Sequence, residues 1–363
     1  MQQPTERKRS RYMEWAKTRS TAPFNLATSG LTNVPMAEFP LRVEDLEITG
    51  GGYGYGPLLE RIARHTGAPA ECIVTTAGTS MANHLAMAAL LEPGDEIVLE
   101  EPTYGLLLDV AHYLGARVRR VPRRFEDGFA ISLGEMERAI TPATRLVVLT
   151  DLHNPTNVLL PRATLVAVGA MAERGGARVL VDEVYLELLF ENRPASAFSL
   201  GETFVVTSSL TKAYGLSGLR CGWILAAPEL AHRMWRLNDL FAATGAHPAE
   251  RMSVMAFDHL GQFRERTRAL LQTNRALLDA FLDSRSDLEC VRPPQGSIVF
   301  PRLPTGEPDA LFTLLREKYE TSVVPGAFFE APRHFRLGVG GETSNVQAGL
   351  ERLGAALDEF GRR

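Results

Sequence analysis

The sequence predicts an α/β fold: a mainly parallel sheet with helices on both faces, joined to a smaller α/β domain. Three observations carry this. Between Cys72 and Ser208 short apolar segments alternate with helical ones, the pattern of strands linked by crossover helices. Small and polar residues with chemical potential fall just after those strands, at Gly78–Ser80, Asn154, Asp182 and Ser209–Lys212. That is where ligands collect in such sheets. Finally, a chain of 363 residues, 45% hydrophobic and 23% charged, with 31 Gly and 22 Pro, has the composition of a soluble globular protein and the length for two domains.

The elements follow in order. Residues 10–30 carry Tyr12, Trp15, Phe24 and Leu26 and end in Thr28-Ser29-Gly30, an amphipathic helix and then a loop. Gly50–Pro57, GGGYGYGP, resembles a dinucleotide fingerprint only superficially. No three of its glycines fall at i, i+2 and i+5, and no apolar strand leads into it. It reads as a flexible loop before a helix at Leu58–His65. CIVTT (Cys72–Thr76) is a short buried strand. Gly78-Thr79-Ser80 then leads into the helix Met81–Leu91, and a strand, a small polar turn and a helix N-terminus together make an anion site. Pro93-Gly94-Asp95 turns the chain into the strand Glu96–Glu100, and Pro102 and Tyr104 open the next helix. A strand at Ala116–Val121 is followed by Ser132 and Glu135, spaced as a capping box for the helix reaching Ile140. The strand Arg145–Asp151 ends in the polar turn His153–Asn157. Helix Arg162–Arg174 and strands Ala177–Asp182 and Thr203–Ser208 come next.

Beyond Pro228 helical patterns dominate to about Leu282. Short strands at Ser297–Leu303, Thr321–Gly326 and His334–Gly340 then alternate with helices Asp309–Tyr319 and Asn345–Phe360. This predicts a second α/β domain joined by the N-terminal segment. The expected division is a large domain over residues 45–245 and a small one made of 1–44 with 246–363.

Charge and composition exclude several classes of function. A net charge of -4 gives no general affinity for nucleic acid. The basic cluster Arg7, Lys8, Arg9 and Arg11 lacks interleaved stacking aromatics and reads as a solvated segment. RKRSRYMEWAKTRS has no apolar run of the kind an export signal needs, and no stretch approaches a membrane span. Cys72, Cys221 and Cys290 are far apart and odd in number, which fits a reducing cytoplasm rather than a disulfide framework. With no HExxH and no Cys/His pairing at ligand spacing, no metal is expected.

The chemistry centres on Val205–Trp223, VVTSSLTKAYGLSGLRCGW. Lys212 lies among hydroxyl residues, with Arg220 eight positions on. Such a lysine can hold a carbonyl compound as a Schiff base while hydroxyls and arginine grip an anion. Ser209 and Lys212 also fit the Ser-x-x-Lys nucleophile signature, but the SDN and KTG tripeptides it requires are absent. Alone, Lys212 and Arg220 would read as surface residues; with the turn at Gly78–Ser80 a phosphate clamp is the better reading. Asp182, at the end of the apolar strand in VLVDEVY, is costly to bury unless paired. It can be a metal ligand, a helix cap or the partner of a cationic nitrogen. Tyr185 and Tyr104 can equally be core tyrosines, and Asn154 can simply shape the turn before Pro155.

HNPTN (His153–Asn157), VDEVY (Val181–Tyr185), SSLTK (Ser208–Lys212) and GLSGLRCGW (Gly215–Trp223) together resemble the class I/II aminotransferases. These are pyridoxal-5'-phosphate enzymes of fold type I, whose central sheet is mainly parallel and seven-stranded. Order and spacing match roughly from Gly30 to Arg336. The resemblance implies that Lys212 forms the internal aldimine and moves the substrate's α-proton. It implies that Asp182 pairs with the pyridinium nitrogen, and that Tyr185 and Asn154 donate to the ring's 3-oxygen. Tyr104 would stack on the ring, while Gly78, Thr79, Ser80, Ser209 and Arg220 would form the phosphate cup. Tyr53, or else Tyr55, would reach the phosphate from a partner subunit, so a homodimer is implied. Arg336, with the loop glycine Gly30, would hold the substrate α-carboxylate. The implied reaction moves an amino group from an α-amino acid to a 2-oxo acid.

Departures from the pattern are specific. Asn157 stands where the family turn has glycine; asparagine is the side chain that best tolerates the left-handed backbone such a turn requires. The tyrosine loop is short, and LATSGLTNVP replaces the Asn-Glu-Asn-Pro-like stretch of histidinol-phosphate aminotransferases. That subgroup, a C–S β-lyase, a decarboxylase and a cyclising synthase are the alternative reactions on the same cofactor. A non-catalytic effector-sensing domain of a transcription regulator is the alternative from another class, which intact Lys212 and Asp182 disfavour.

Overall fold

The computed structural model describes residues 8–39, 41–46, 51–306 and 308–362. Arg7 of the basic cluster and Gly50 of the glycine loop lie outside the described residues. In chain order the elements are α1 (Arg11–Thr18), β1 (Phe24–Asn25), α2 (Gly56–Thr66), β2 (Ile73–Ala77), α3 (Thr79–Leu90), β3 (Glu96–Glu101), α4 (Gly105–Tyr113) and β4 (Arg117–Pro122). Next come α5 (Leu133–Ala139), β5 (Thr144–Thr150), α6 (Arg162–Arg174), β6 (Arg178–Asp182), β7 (Phe204–Ser209) and β8 (Cys221–Leu225). The chain ends with α7 (Pro228–Asn238), α8 (His247–Asp258), α9 (Leu260–Asp283), β9 (Ile298–Val299), α10 (Pro308–Glu317), β10 (Thr321–Ser322), β11 (Val324–Pro325), β12 (Phe335–Gly338) and α11 (Thr343–Phe360).

Seven strands form the central sheet in the order β2-β8-β7-β6-β5-β3-β4. The pairings of β7 with β6, β6 with β5, β5 with β3 and β3 with β4 are parallel. Only β8 runs against its neighbours, β2 and β7. Parallel strands covered on both faces read as continuous apolar runs. Leu146, Val147, Val148 and Leu149 of β5 accordingly have no exposed surface, and each such side chain contributes about 1.5–3 kcal/mol on burial. Six of the seven strands correspond to apolar runs picked out in the sequence. The seventh, β8, sits in CGWIL immediately after the Gly-rich turn, where glycine spacing masked a fully buried strand.

The smaller α/β part differs from expectation in strand length. Ser297–Leu303 and His334–Gly340 shrink to β9 and β12, which join β11 in a three-stranded antiparallel sheet. Pro301 has no N–H to give a ladder, and past it the pairing is reduced to single bridges from Arg302 to His334 and Glu289; β11 ends on Pro325. Thr321–Gly326 splits in two, and β10 pairs instead with β1, in parallel. The N-terminal segment is thereby tied to the C-terminal part. Helix ends follow local chemistry. Ser10 caps α1 by accepting from the Met13 N–H at 3.3 Å. Ser132 caps α5 by accepting from the Glu135 N–H at 3.4 Å. The Glu135 carboxylate does not return to complete the box; it takes a bidentate pair of bonds from Arg124 at 2.8 and 3.0 Å. Among the described residues no helix is long and apolar enough to cross a membrane.

Candidate active site

At the carboxyl end of the central sheet lies a cavity of about 300 Å³. Lys212, Asp182, Tyr185, Tyr104, Asn154, Thr79, Ser80 and Arg220 all line it. They reach it from strand ends and helix starts: Asp182 closes β6, Lys212 follows β7, Asn154 follows β5, Tyr104 precedes α4, and Thr79 and Ser80 open α3. Residues as far apart in the sequence as Thr79 and Arg220 thus meet because the parallel strands all end on one edge.

The side of the cavity next to α3 is built on backbone. Gly78 caps α3 with φ 84° and ψ 170°, a conformation close to glycine-only. A Cβ there would stand 2.3 Å from Arg220 Nη2. Arg220 itself has φ 51°, and its guanidinium donates to the carbonyls of Ala77 at 3.0 Å and Ser217 at 3.2 Å. Thr79 donates to Ser209 Oγ at 2.8 Å, and Ser209 Oγ also accepts from the Thr211 N–H at 3.3 Å. The first N–H groups of a helix have no acceptor within it, so Thr79 and Ser80 offer theirs beside a cationic fork.

Two charged groups sit deep in the cavity. Lys212 Nζ donates to Ser29 Oγ at 2.8 Å and lies 5.9 Å from the centre of the Tyr185 ring. Burial pulls the Lys212 amine down from 10.5 to about 8, with Arg336 and Arg220 lowering it further and Tyr12 and Asp182 opposing. Asp182 accepts from Asn83 Nδ2 at 2.7 Å and from the Val184 N–H at 3.0 Å. Burial raises its carboxyl from 3.8 to about 6 against those two hydrogen bonds and the nearby Lys212. The Tyr185 hydroxyl is buried without a hydrogen-bond partner.

Arg336 is buried behind the cavity wall and fastened to it. Its guanidinium donates to Asn154 Oδ1 at 2.9 Å, to Tyr12 Oη at 2.9 Å and to the Ala27 carbonyl at 3.4 Å, while Nε has no partner. Gly30 does not face the cavity; its neighbours Thr28 and Ser29 do, and the Gly30 carbonyl abuts Gly340. Tyr53 does not line its own chain's cavity. It is half exposed, donates to Asp239 Oδ2 at 2.8 Å and tilts against Trp235. Tyr55 packs edge-on against His247. Asn157 has φ 66°, the left-handed conformation expected of it. Its amide also donates to the Gln295 carbonyl, tying the turn to the C-terminal part.

Three contributors were not foreseen as site residues: Tyr12, Ser29 and Asn83. Tyr12 was visible only as one aromatic of an amphipathic helix. Asn83 carries a readable signal, a polar residue in the otherwise apolar run Ala82–Leu91 broken only by Asn83 and His84. Among the described residues no group of His, Cys, Asp and Glu could hold a metal ion.

The profile of the family Aminotransferase class I and II matches residues 42–353. The chain is 31% identical to arginine–pyruvate transaminase AruH of Pseudomonas aeruginosa, over 78% of this chain and 74% of that one. It is 30% identical to capreomycidine synthase of Streptomyces vinaceus, over 96% of this chain and 94% of that one. A PLP-dependent aminotransferase from Streptococcus suis superposes with a TM-score of 0.90 at 26% identity, covering 99% of each chain. The fold is thus that of a fold type I pyridoxal-phosphate enzyme. The chain belongs to the class I and II aminotransferase family, with pyridoxal 5'-phosphate as its cofactor, and it transfers the amino group of an α-amino acid to a 2-oxo acid.

Proposed function

We propose that Lys212 is the residue that carries the cofactor and moves the proton in this transamination. The observation that carries the reading is the shared burial of the Lys212 amine and the Asp182 carboxylate in one cavity beside the N-terminus of α3 and Arg220. The donor set fits pyridoxal 5'-phosphate. Arg220 and the first turn of α3 suit a phosphate, with Thr79, Ser80 and Ser209 adding hydroxyls and Gly78 the necessary space. Asp182, ionised above about pH 6, suits a cationic ring nitrogen. The unpartnered Tyr185 hydroxyl and the Asn154 amide suit a ring oxygen, and Tyr104 suits a ring face. When bound, the cofactor supplies an exchangeable carbonyl and an electron sink for a carbanion.

The chain's own residues then have distinct tasks. With its pKa near 8, Lys212 keeps an appreciable unprotonated fraction near neutrality and can take the substrate's α-proton and return it. Arg336 offers a planar fork to the α-carboxylate, oriented by Asn154 and Tyr12. Asp182 balances the positive charge that Lys212, Arg336 and Arg220 bring to the cavity.

A homodimer is part of this reading. Half-exposed Tyr53 and Asp239 adjoin exposed Leu240 and Phe241, an apolar surface suited to a second copy, from which Tyr53 would reach the partner's phosphate site. The cysteines are all free, in keeping with a cytoplasmic enzyme. The division into 45–245 and 1–44 with 246–363 is supported by the sheets: β2–β8 all fall in the first, and β1 with β9–β12 in the second.

The test is a screen of amino donors against 2-oxo acid acceptors with the PLP-loaded protein. Acceptor-dependent amino transfer, lost in Lys212→Ala, is expected. Ammonia, sulfide, CO2 or a cyclised product formed without consuming acceptor would overturn the transamination reading. The cyclised product is included because the synthase relative spans nearly the whole chain.

A further inference from the structure

Asp182 is held by a short chain of polar groups that the reaction as described does not use. Asn83 Nδ2 donates to Asp182 Oδ2 at 2.7 Å, and Thr207 Oγ1 donates to Asn83 Oδ1 at 2.6 Å. The Val184 N–H fixes the other carboxylate oxygen at 3.0 Å. Three elements meet here. Asp182 and Thr207 are directly paired in the register of β6 and β7, so their side chains leave the sheet on one face, and α3 packs across that face with Asn83. Asn83, Asp182 and Thr207 are all essentially buried.

An amide in an apolar helix is costly unless both its ends are bonded. Here both are, and in only one orientation. A carboxylate only accepts, whereas a threonine hydroxyl can donate. The amide must therefore turn its N–H₂ to Asp182 and its oxygen to Thr207; the flipped amide would set an oxygen against a carboxylate. The carboxylate of Asp182 thus sets the direction of Asn83, the Thr207 hydroxyl anchors the amide oxygen turned toward it, and Asn83 aims and stabilises the ionised carboxylate.

We propose that Asn83 and Thr207 are positioning residues that hold Asp182 ready for the ring nitrogen of the cofactor. The proposal rests on the reading of Asp182 given above. It predicts an effect specific to ligands that possess that nitrogen, which a general packing role would not produce.

The experiment measures dissociation constants by fluorescence titration of the ligand-free protein with two ligands: pyridoxal 5'-phosphate, and its analogue with CH in place of the ring nitrogen. Asn83→Leu is expected to weaken binding of the first about tenfold, as for loss of one hydrogen bond to a charged group, and to change binding of the analogue little. Thr207→Val, which keeps the side-chain shape, is expected to act in the same direction more weakly, and Thr207→Ser to restore native binding. Melting curves of each variant check folding, and Thr207→Val keeps the test available if Asn83→Leu does not fold. Equal weakening of both ligands, or of neither, overturns the proposal. Asp182→Asn is the control. If it discriminates between the ligands and Asn83→Leu does not, only the positioning role fails. If Asp182→Asn does not discriminate, the assignment of Asp182 fails and the positioning role with it.

Discussion

Lys212 and Asp182 are shifted in opposite chemical senses by the same cause, removal from water. Burial disfavours the charged form of each, so the lysine goes down and the carboxyl goes up. In the ligand-free protein, the acetylation rate of Lys212, followed by peptide mass spectrometry, is expected to rise with a midpoint near pH 8. A midpoint near 10.5 would mean that the amine is solvated. The stability consequences have definite signs. The Lys212 pKa is lower folded than unfolded, so between about 8 and 10.5 the unfolded chain binds more protons and stability rises with pH. For Asp182 the folded pKa is the higher, so stability falls as pH rises from 3.8 through about 6. Denaturant melts of Lys212→Met and Asp182→Asn in the ligand-free state should each lose the corresponding slope.

The start of α3 and the ends of β2 and β8 make a unit in which space is as important as charge. Adding a methyl at Gly78 places it 2.3 Å from Arg220 Nη2 and demands a side chain at φ 84°. In Gly78→Ala the guanidinium must leave the Ala77 carbonyl, and strain of about 1–3 kcal/mol is expected. Inorganic phosphate and pyridoxal 5'-phosphate should both bind roughly tenfold more weakly or worse; unchanged phosphate binding would remove the cup from this place. Below the sheet edge, Arg123 and Glu100 form an ion pair at 2.8 Å with both side chains fully buried. Glu100 also takes the N–H and hydroxyl of Thr150, joining β3 to β5 just before the Asn154 turn. Arg123→Leu would leave that carboxylate buried and uncompensated, and a loss of roughly 3–5 kcal/mol in unfolding free energy is expected. A loss below 1 kcal/mol by denaturant titration would show the pair to be dispensable.

At the scale of the whole molecule, each site is complete only with a second copy, if Tyr53 has its proposed role. Lys212→Ala and Tyr53→Ala proteins should each be impaired for different reasons. When the two are refolded together, hybrid dimers gather both defects in one site and leave the other site native. Recovery of activity on mixing, measured with the best donor–acceptor pair, is the expected outcome. Additive, unrescued activities would confine Tyr53 to its own chain, where it already bonds Asp239.

Much of the molecule was legible locally, because the signals are local. Apolar runs and turn residues marked six strands of the central sheet and the small polar turns at their ends. The left-handed backbone of Asn157 followed from its type and its place in the turn. Lys212, Asp182 and Arg220 stood in motifs whose resemblance to a family implied a cofactor. Other features depended on contacts between remote segments. β8 was hidden because glycines obscure an apolar run, and the short strands of the smaller part depend on which backbone lies opposite them. Ser29 meets Lys212 across 183 residues, Tyr12 meets Arg336 across 324, and Thr207 bonds Asn83 across 124. Periodicities, turns and reactive side chains could be read along the chain, since they follow from a residue and its neighbours. Which polar groups face the buried charges could be read only from the folded chain, because that depends on how helices α1 and α3 pack against the sheet.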